Sequence, residues 1–204
     1  MSKSKSKRRK QRARKRRAAK ARSRSAPQPP SQKLLQALAE VDRLIDEKEW
    51  EDACERLQAL GRRWPRRVEV LGRLTEVYYE LGDFREQLST CERLYSVVPH
   101  DPDVPLMLAG SYMANVHPAL ALRTFRRFIE RWPEDPRSDE VRKTVADLEK
   151  SLDELLEGTG LTGADRFESA AQQEMLQCLL ERGEYAEVRK IADQILNRHP
   201  DFLP

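Results

Sequence analysis

The chain has 204 residues and a net charge of only +4, because 38 Lys and Arg stand against 34 Asp and Glu. This length suffices for one helical array or one to two compact domains with a real core. The many charges, the 6% aromatic content and the eight glycines favour helices with charged outer faces and argue against a sheet protein.

The N-terminal segment 1–25 contains fourteen Lys or Arg and no Asp or Glu. Without it, 24 basic and 34 acidic residues remain, a net charge of −10. Since this segment has almost no apolar side chains, nothing offsets the entropy of ordering it, and we predict a disordered basic arm. Cations that neutralise phosphates release counterions, so the arm is suited to sequence-independent contact with RNA, ribosomes or DNA. The candidate polyanion-binding residues are Lys7, Arg8, Arg9, Lys10, Arg12, Arg14, Lys15, Arg16 and Arg17.

Two other interpretations of the arm remain open. It is a solubilising tail, or it folds back on the acidic remainder of the chain. In a eukaryote, its two basic clusters would also resemble a nuclear import signal.

Residues 26–33 are rich in proline and predict an extended linker before a helical domain at 34–204. The spacing of apolar residues predicts helices throughout that domain. The expected helices are 34–47, 50–63, 67–80, 84–97, 103–115, 118–131, 138–157, 167–182 and 185–198.

Prolines recur in this domain at a fixed interval. Pro65, Pro99 and Pro133 are 34 residues apart, and each follows an apolar-periodic segment that a proline would end. Before Pro133 the chain carries Leu108, Ala109 and Tyr112, then Ala121 and Phe125. Shifting back by the same interval places Leu74 and Tyr78 in the equivalent slots of the preceding segment.

This pattern resembles the tetratricopeptide repeat (TPR), a 34-residue motif that runs W-x2-L-G-x2-Y, A-x3-F, P. The resemblance covers most of residues 34–133 and again about 168–200, and implies an all-α, TPR-like solenoid of antiparallel helix pairs. It is weakest over helix 138–157, which is overlong and is followed by Gly158 and Gly160. The alternative is a generic helical bundle.

Helix 138–157 shows a second pattern. Its apolar residues step by 4, 3, 4 and 3, which is heptad spacing over about two heptads. We interpret them as core residues, with a dimer seam as the alternative, because a coiled coil needs about three to four heptads.

In the TPR family the first helix of each pair lines a concave surface, and the resemblance implies a peptide-binding groove there. The candidate groove residues are Leu38, Asp42, Ile45, Glu69, Glu76, Tyr79, Glu80, Leu106, Gly110 and Met113. This surface is apolar with an acidic stripe, so it should prefer an apolar or basic peptide. The Lys and Asn residues with which some family members hold carboxylate tails are absent from the matching slots. The alternative is that the acidic side chains form only a solvated helix face.

Catalytic signatures are missing from the sequence: it contains no phosphate-binding glycine loop, no zinc-protease motif and no nucleophile elbow. His100, His117 and His199 fall in different predicted turns, so we expect neither a shared metal site nor a cofactor. No run approaches the roughly 18–20 apolar residues of a membrane span, no apolar signal core opens the chain, and the three cysteines are widely spaced. The sequence thus favours a cytoplasmic, non-catalytic scaffold that binds proteins. The alternative is an RNA-, ribosome- or DNA-associated factor anchored by the arm.

Overall fold

The structure is a computed structural model that describes residues 30–159, 161 and 163–198. Within these ranges all regular secondary structure is helical, and each predicted helix is confirmed to within two residues at both ends. The helices of these ranges are α1 Gln32–Asp46, α2 Trp50–Arg63, α3 Val68–Glu80, α4 Phe84–Val97, α5 Asp103–Ala114, α6 Pro118–Arg131, α7 Ser138–Leu156, α8 Arg166–Glu181 and α9 Tyr185–Arg198. The predicted basic arm, residues 1–25, lies outside the described residues.

The chain divides into two units, residues 1–40 and 41–204. The described part of the first unit is the beginning of α1. This helix starts at Gln32 because Ser31 provides an N-cap: the Leu34 N–H donates to Ser31 Oγ at 3.3 Å, which satisfies one of the free amides at a helix start. The second unit contains the end of α1 and helices α2 to α9.

Among the helices that the structure describes, four end in the same turn. The turn residues Lys48, Gly82, Val116 and Gly183 have positive φ angles of 60°, 70°, 59° and 73°. The next amide donates back to the carbonyl five residues earlier each time, as Asp83 N–H does to Tyr78 O at 2.9 Å. This is the Schellman arrangement, which satisfies carbonyls at a helix end. The first three turn residues recur at the same interval as the prolines, so the period of the sequence is also a period of the backbone.

The helices that close each period also end alike. Trp64, Val98 and Trp132 have φ angles of −132°, −127° and −127° and donate to the carbonyl four residues earlier. A proline follows each of them. Since proline lacks an N–H and restricts the residue before it, the helix stops there.

Neighbouring helices pack against one another along the chain: α2 on α3, α3 on α4, α4 on α5, α5 on α6, and α6 on α7. Ala109 and Ala121 are fully buried, as expected where small side chains allow two helices to approach closely. Phe128 of α6 is also fully buried and stacks at 5.5 Å between ring centroids on Trp132, at the end of the same helix.

Helix α8 departs from this stepwise order, because it packs on α6 as well as on its hairpin partner α9. Phe167, Ala170 and Ala171 of α8 belong to the same core cluster as Leu120 and Leu122 of α6. Helix α6 therefore contacts three other helices, α5, α7 and α8.

A membrane crossing requires a helix that is both long and apolar. In the portion of the chain that the structure describes, none is long and apolar enough to span a bilayer.

Candidate functional site

A cleft lies between the end of α1 and the first turns of α3. It brings together four of the ten predicted groove residues, Asp42, Ile45, Glu69 and Glu76. We call it the α1–α3 cleft, and its complete lining is Asp42, Ile45, Asp46, Val68, Glu69, Gly72, Arg73 and Glu76.

Arg73 organises the charges of the α1–α3 cleft. Its Nε donates to Asp42 Oδ1 at 2.5 Å and its Nη2 to Asp42 Oδ2 at 2.9 Å, while Nη1 donates to the Glu69 carbonyl at 3.0 Å. The hydrogen bonds from Arg73 lower the pKa of Asp42, so this carboxylate stays ionised. Four carboxylates and one guanidinium line the cleft, which makes it anionic and suits it to a cationic ligand.

The other predicted groove residues lie elsewhere. Tyr79 and Met113 have 58% and 42% of their surface exposed at equivalent places near the ends of α3 and α5. Glu80 and Gly110 are exposed and Leu106 is partly buried. Leu38 has only 3% of its surface exposed, so its side chain is not presented to a ligand here.

Two glycines occupy the interiors of α3 and α5. A Cβ atom added to Gly72 in α3 or to Gly110 in α5 would meet no atom within 4 Å. Glycine in a helix interior is less stable than alanine by about 0.5–1 kcal/mol. Helix packing therefore does not explain these glycines, and each leaves backbone open to close approach from outside.

A second cleft, which sequence reasoning missed, lies between α4 and α8. Glu92 of α4 accepts a hydrogen bond from the Tyr112 hydroxyl at 3.0 Å and pairs with Arg182 at 2.7 Å. Arg85 of α4 donates to the Glu181 carbonyl at 3.1 Å. The full lining is Arg85, Glu86, Leu88, Ser89, Glu92, Asn115, His117, Cys178, Glu181 and Arg182. The ions of this cleft thus hold the end of α8 against α4.

His117 and Cys178 meet at the base of the α4–α8 cleft, with His117 Nε2 3.3 Å from Cys178 Sγ. Burial lowers the pKa of His117, and burial raises the pKa of the Cys178 thiol to about 11. Both groups are therefore neutral near pH 7, whereas a nucleophilic cysteine needs a lowered pKa. The pair holds two helices together and lacks the charge state of a catalytic thiolate.

Glu174 of α8 caps the beginning of α6. Its two carboxylate oxygens accept hydrogen bonds from the Ala119 N–H at 3.0 Å and the Leu120 N–H at 2.7 Å. His117, at the N-cap position of α6, makes no side-chain cap of its own. A carboxylate from a distant helix thus does what a local Ser or Asp does elsewhere.

The two remaining kinds of candidate site are a metal site and the predicted polyanion-binding site. The described ranges, 30–159, 161 and 163–198, contain no group of three or more His, Cys, Asp or Glu side chains arranged to hold a metal ion. The predicted polyanion-binding residues between Lys7 and Arg17 lie outside those ranges.

Comparison with known proteins does not assign the chain to a family. No family model matches the sequence, and no curated protein matches it.

Proposed function

We propose that this protein is a non-catalytic interaction scaffold of the TPR type, which binds an apolar or basic segment of another protein. The binding face is formed by the first helices of the pairs, α1, α3 and α5. The α1–α3 cleft carries the proposal, because Asp42, Glu69 and Glu76 line it together with the apolar side chain of Ile45. Acidic side chains around an apolar contact favour a ligand with lysines or arginines next to an apolar anchor.

Two further observations support this proposal. The same Schellman turn recurs at Lys48, Gly82 and Val116, and the constant interval between these residues equals the length of a TPR unit. The open backbone at Gly72 and Gly110 is of use to a ligand that lies close against the helices.

The proposal is tested by reversing one charge in the cleft. A displayed random-peptide library is selected on the protein, and the enriched peptides are synthesised and titrated against Glu76→Lys. We expect enriched peptides to be basic and apolar, and the affinity for Glu76→Lys to fall about tenfold, the effect of one unfavourable charge contact.

The matched control is Glu55→Lys, which makes the same charge change at an exposed position of α2. It should bind the peptides as the wild-type protein does. Equal losses in the two variants would mean that net charge, and not the α1–α3 cleft, determines binding. Enrichment of acidic peptides would contradict the proposal outright.

The second candidate function is attachment to RNA, ribosomes or DNA through residues 1–25. It is favoured by the separation of charge in the sequence, with fourteen cations and no anion in the arm and a net charge of −10 in the rest. Binding of RNA and duplex DNA by the full chain and by a variant without residues 1–25 is measured against salt concentration. Binding that falls steeply with salt and requires the arm supports this function. No binding by the full chain at low salt excludes it.

A further inference from the structure

Val116 is an unusual residue for the place it occupies. It is the positive-φ residue of the turn after α5, with φ at 59°, where two equivalent turns have Gly82 and Gly183. A β-branched side chain is strained in this region of backbone space. Its side chain is also 81% exposed, so burial within the described fold does not offset that strain.

Three other exposed apolar side chains, Tyr79, Phe84 and Met113, lie beside this turn or beside the equivalent turn one period earlier. Tyr79 and Phe84 stack edge to face across the preceding turn, with 6.2 Å between ring centroids. The Asn115 side chain donates from Nδ2 to the Phe84 carbonyl at 2.9 Å, which joins this turn to the one that contains Val116. Met113 is the counterpart of Tyr79 one period later. We call Tyr79, Phe84, Met113 and Val116 the tip patch.

The surroundings of the tip patch are acidic. Glu80 and Asp83 flank it along the chain, and both are exposed. The nearest arginine in sequence, Arg85, interacts with Glu181 of α8. An apolar surface next to carboxylates is complementary to an apolar surface next to lysines or arginines.

The side chains of the tip patch indicate which secondary structure its partner should have. The described residues contain no strand whose edge a peptide could extend, so recognition depends on side-chain contacts. Apolar anchors of this kind accept the apolar face of an amphipathic helix, and Met113 can adapt its shape to such a partner.

We propose that the tip patch binds the apolar face of a cationic amphipathic helix of another protein. The inference rests on the proposed scaffold function and adds a site at the turns of the second and third periods. Val116 supplies an apolar contact to this partner. This contact accounts for a valine at a position where glycine would relieve the backbone strain.

The test separates peptide binding from fold stability, because Val116→Gly should weaken binding and increase stability. The probe is a fluorescent synthetic peptide of about 15 residues, or about four helical turns, made of Leu and Lys with the leucines at helical spacing. Val116→Gly should raise Tm by roughly 2–4 °C, since the strain is removed. It should also weaken peptide binding about fivefold, since an apolar contact is lost.

Lys48→Gly is the matched control. It relieves the strain of the same backbone conformation in the first turn, where φ is 60°. This turn lies outside the tip patch. It should raise Tm without weakening peptide binding. Phe84→Ala is a second variant within the patch and should weaken binding without the gain in Tm.

Several outcomes would overturn the inference. If Val116→Gly and Phe84→Ala bind the peptide as the wild-type protein does while Glu76→Lys does not, the scaffold function stands and the tip patch is wrong. Equal binding of a Leu-and-Glu peptide of the same spacing would exclude the charge complementarity. Self-association of the chain that Val116→Gly abolishes would assign the patch to a second copy instead. A wild-type protein that does not bind the peptide at low salt would refute the tip patch, while the peptides enriched from the library would still decide the scaffold function.

Discussion

His117 is buried in neutral form where α8 crosses the beginning of α6. Only 6% of its surface is exposed, its Nε2 faces Cys178, and its Nδ1 has no hydrogen-bond partner. Burial lowers the pKa of His117, and the nearby carboxylates of Glu181 and Glu92 only partly oppose this. Protonation therefore favours the unfolded chain, in which the imidazole is hydrated.

The pH dependence of stability follows from this shift. Because the pKa of His117 is lower in the folded state, the unfolded chain binds the proton first as pH falls. The stabilisation is complete above the ordinary histidine pKa of about 6.5 and is lost as pH falls through that value toward the lowered one. We expect the wild-type free energy of unfolding to fall below pH about 6.5 by up to about 1.4 kcal/mol per pH unit from this residue alone. Urea unfolding of wild-type and His117→Gln proteins between about pH 7.5 and 5.5 measures it, and parallel curves would contradict the assignment.

Single residues also show what the sequence can and cannot reveal. The glycines at 82 and 183 mark positive-φ turns, because glycine is the residue that adopts this conformation without strain. Val116 gives no such signal, and the sequence points to the following His117-Pro118 pair instead. The role of Arg73 in the α1–α3 cleft also could not be predicted from the sequence, since its partner Asp42 is 31 residues away and lies on another helix.

Helix α6 depends on a residue outside its own segment. Pro118 is suited to the first helical position, but the next two amides donate to Glu174 of α8. Burial raises the pKa of Glu174, while the two backbone hydrogen bonds lower it. The cap therefore couples the formation of α6 to the packing of α8 against it.

Removing this cap should destabilise the protein. We expect Glu174→Ala to lower the free energy of unfolding by about 1–2 kcal/mol, the range for loss of a helix cap with its charge. Glu174→Gln should lose about half as much, because an amide oxygen still accepts a hydrogen bond but carries no charge. Urea unfolding measures both. Gln173→Ala, at an exposed neighbouring position of α8, is the control. It should cost little, because alanine is the better helix former, and an equal loss there would show that the loss at Glu174 is not due to the cap.

At the scale of elements, the bounds of the helices could be predicted from residues close in sequence, whereas the packing of distant helices could not. The bounds of α2, α4, α6 and α9 agree with their predicted bounds at both ends, because apolar spacing, prolines and turn residues are all close in sequence. The packing of α8 on α6 could not be predicted in this way. It depends on contacts such as that of Glu174 with Ala119, 55 residues apart, and Glu174 is one of 34 acidic residues with nothing in the sequence to distinguish it.

Within residues 41–198, packing is uneven along the chain. Helix α6 packs on three other helices and contains Leu120 and Phe128, both fully buried. Helix α9 packs on α8, and Ile195 is its one buried apolar residue among those described. Elements with few buried apolar contacts open at the lowest free energy, so α9 should open before α6.

Native-state hydrogen exchange should show this order directly. We expect amides of α9 to exchange through local opening, and amides of α6 to exchange only when the unit as a whole unfolds. Ile195→Ala should speed exchange in both helices, because it destabilises the native state relative to the locally open state and to the unfolded state. Phe128→Ala should speed exchange in α6 and leave α9 unchanged, because the fully buried phenylalanine stays packed when α9 alone opens. Truncating a buried phenylalanine costs about 3–5 kcal/mol. If α9 is instead as protected as α6 in the wild-type protein, and Phe128→Ala lowers protection equally in both, then the contact of α8 with α6 makes the C-terminal hairpin part of one cooperative unit. That result would place this fold outside the additive behaviour of a linear repeat array, since a hairpin at the end of such an array opens without its distant neighbours.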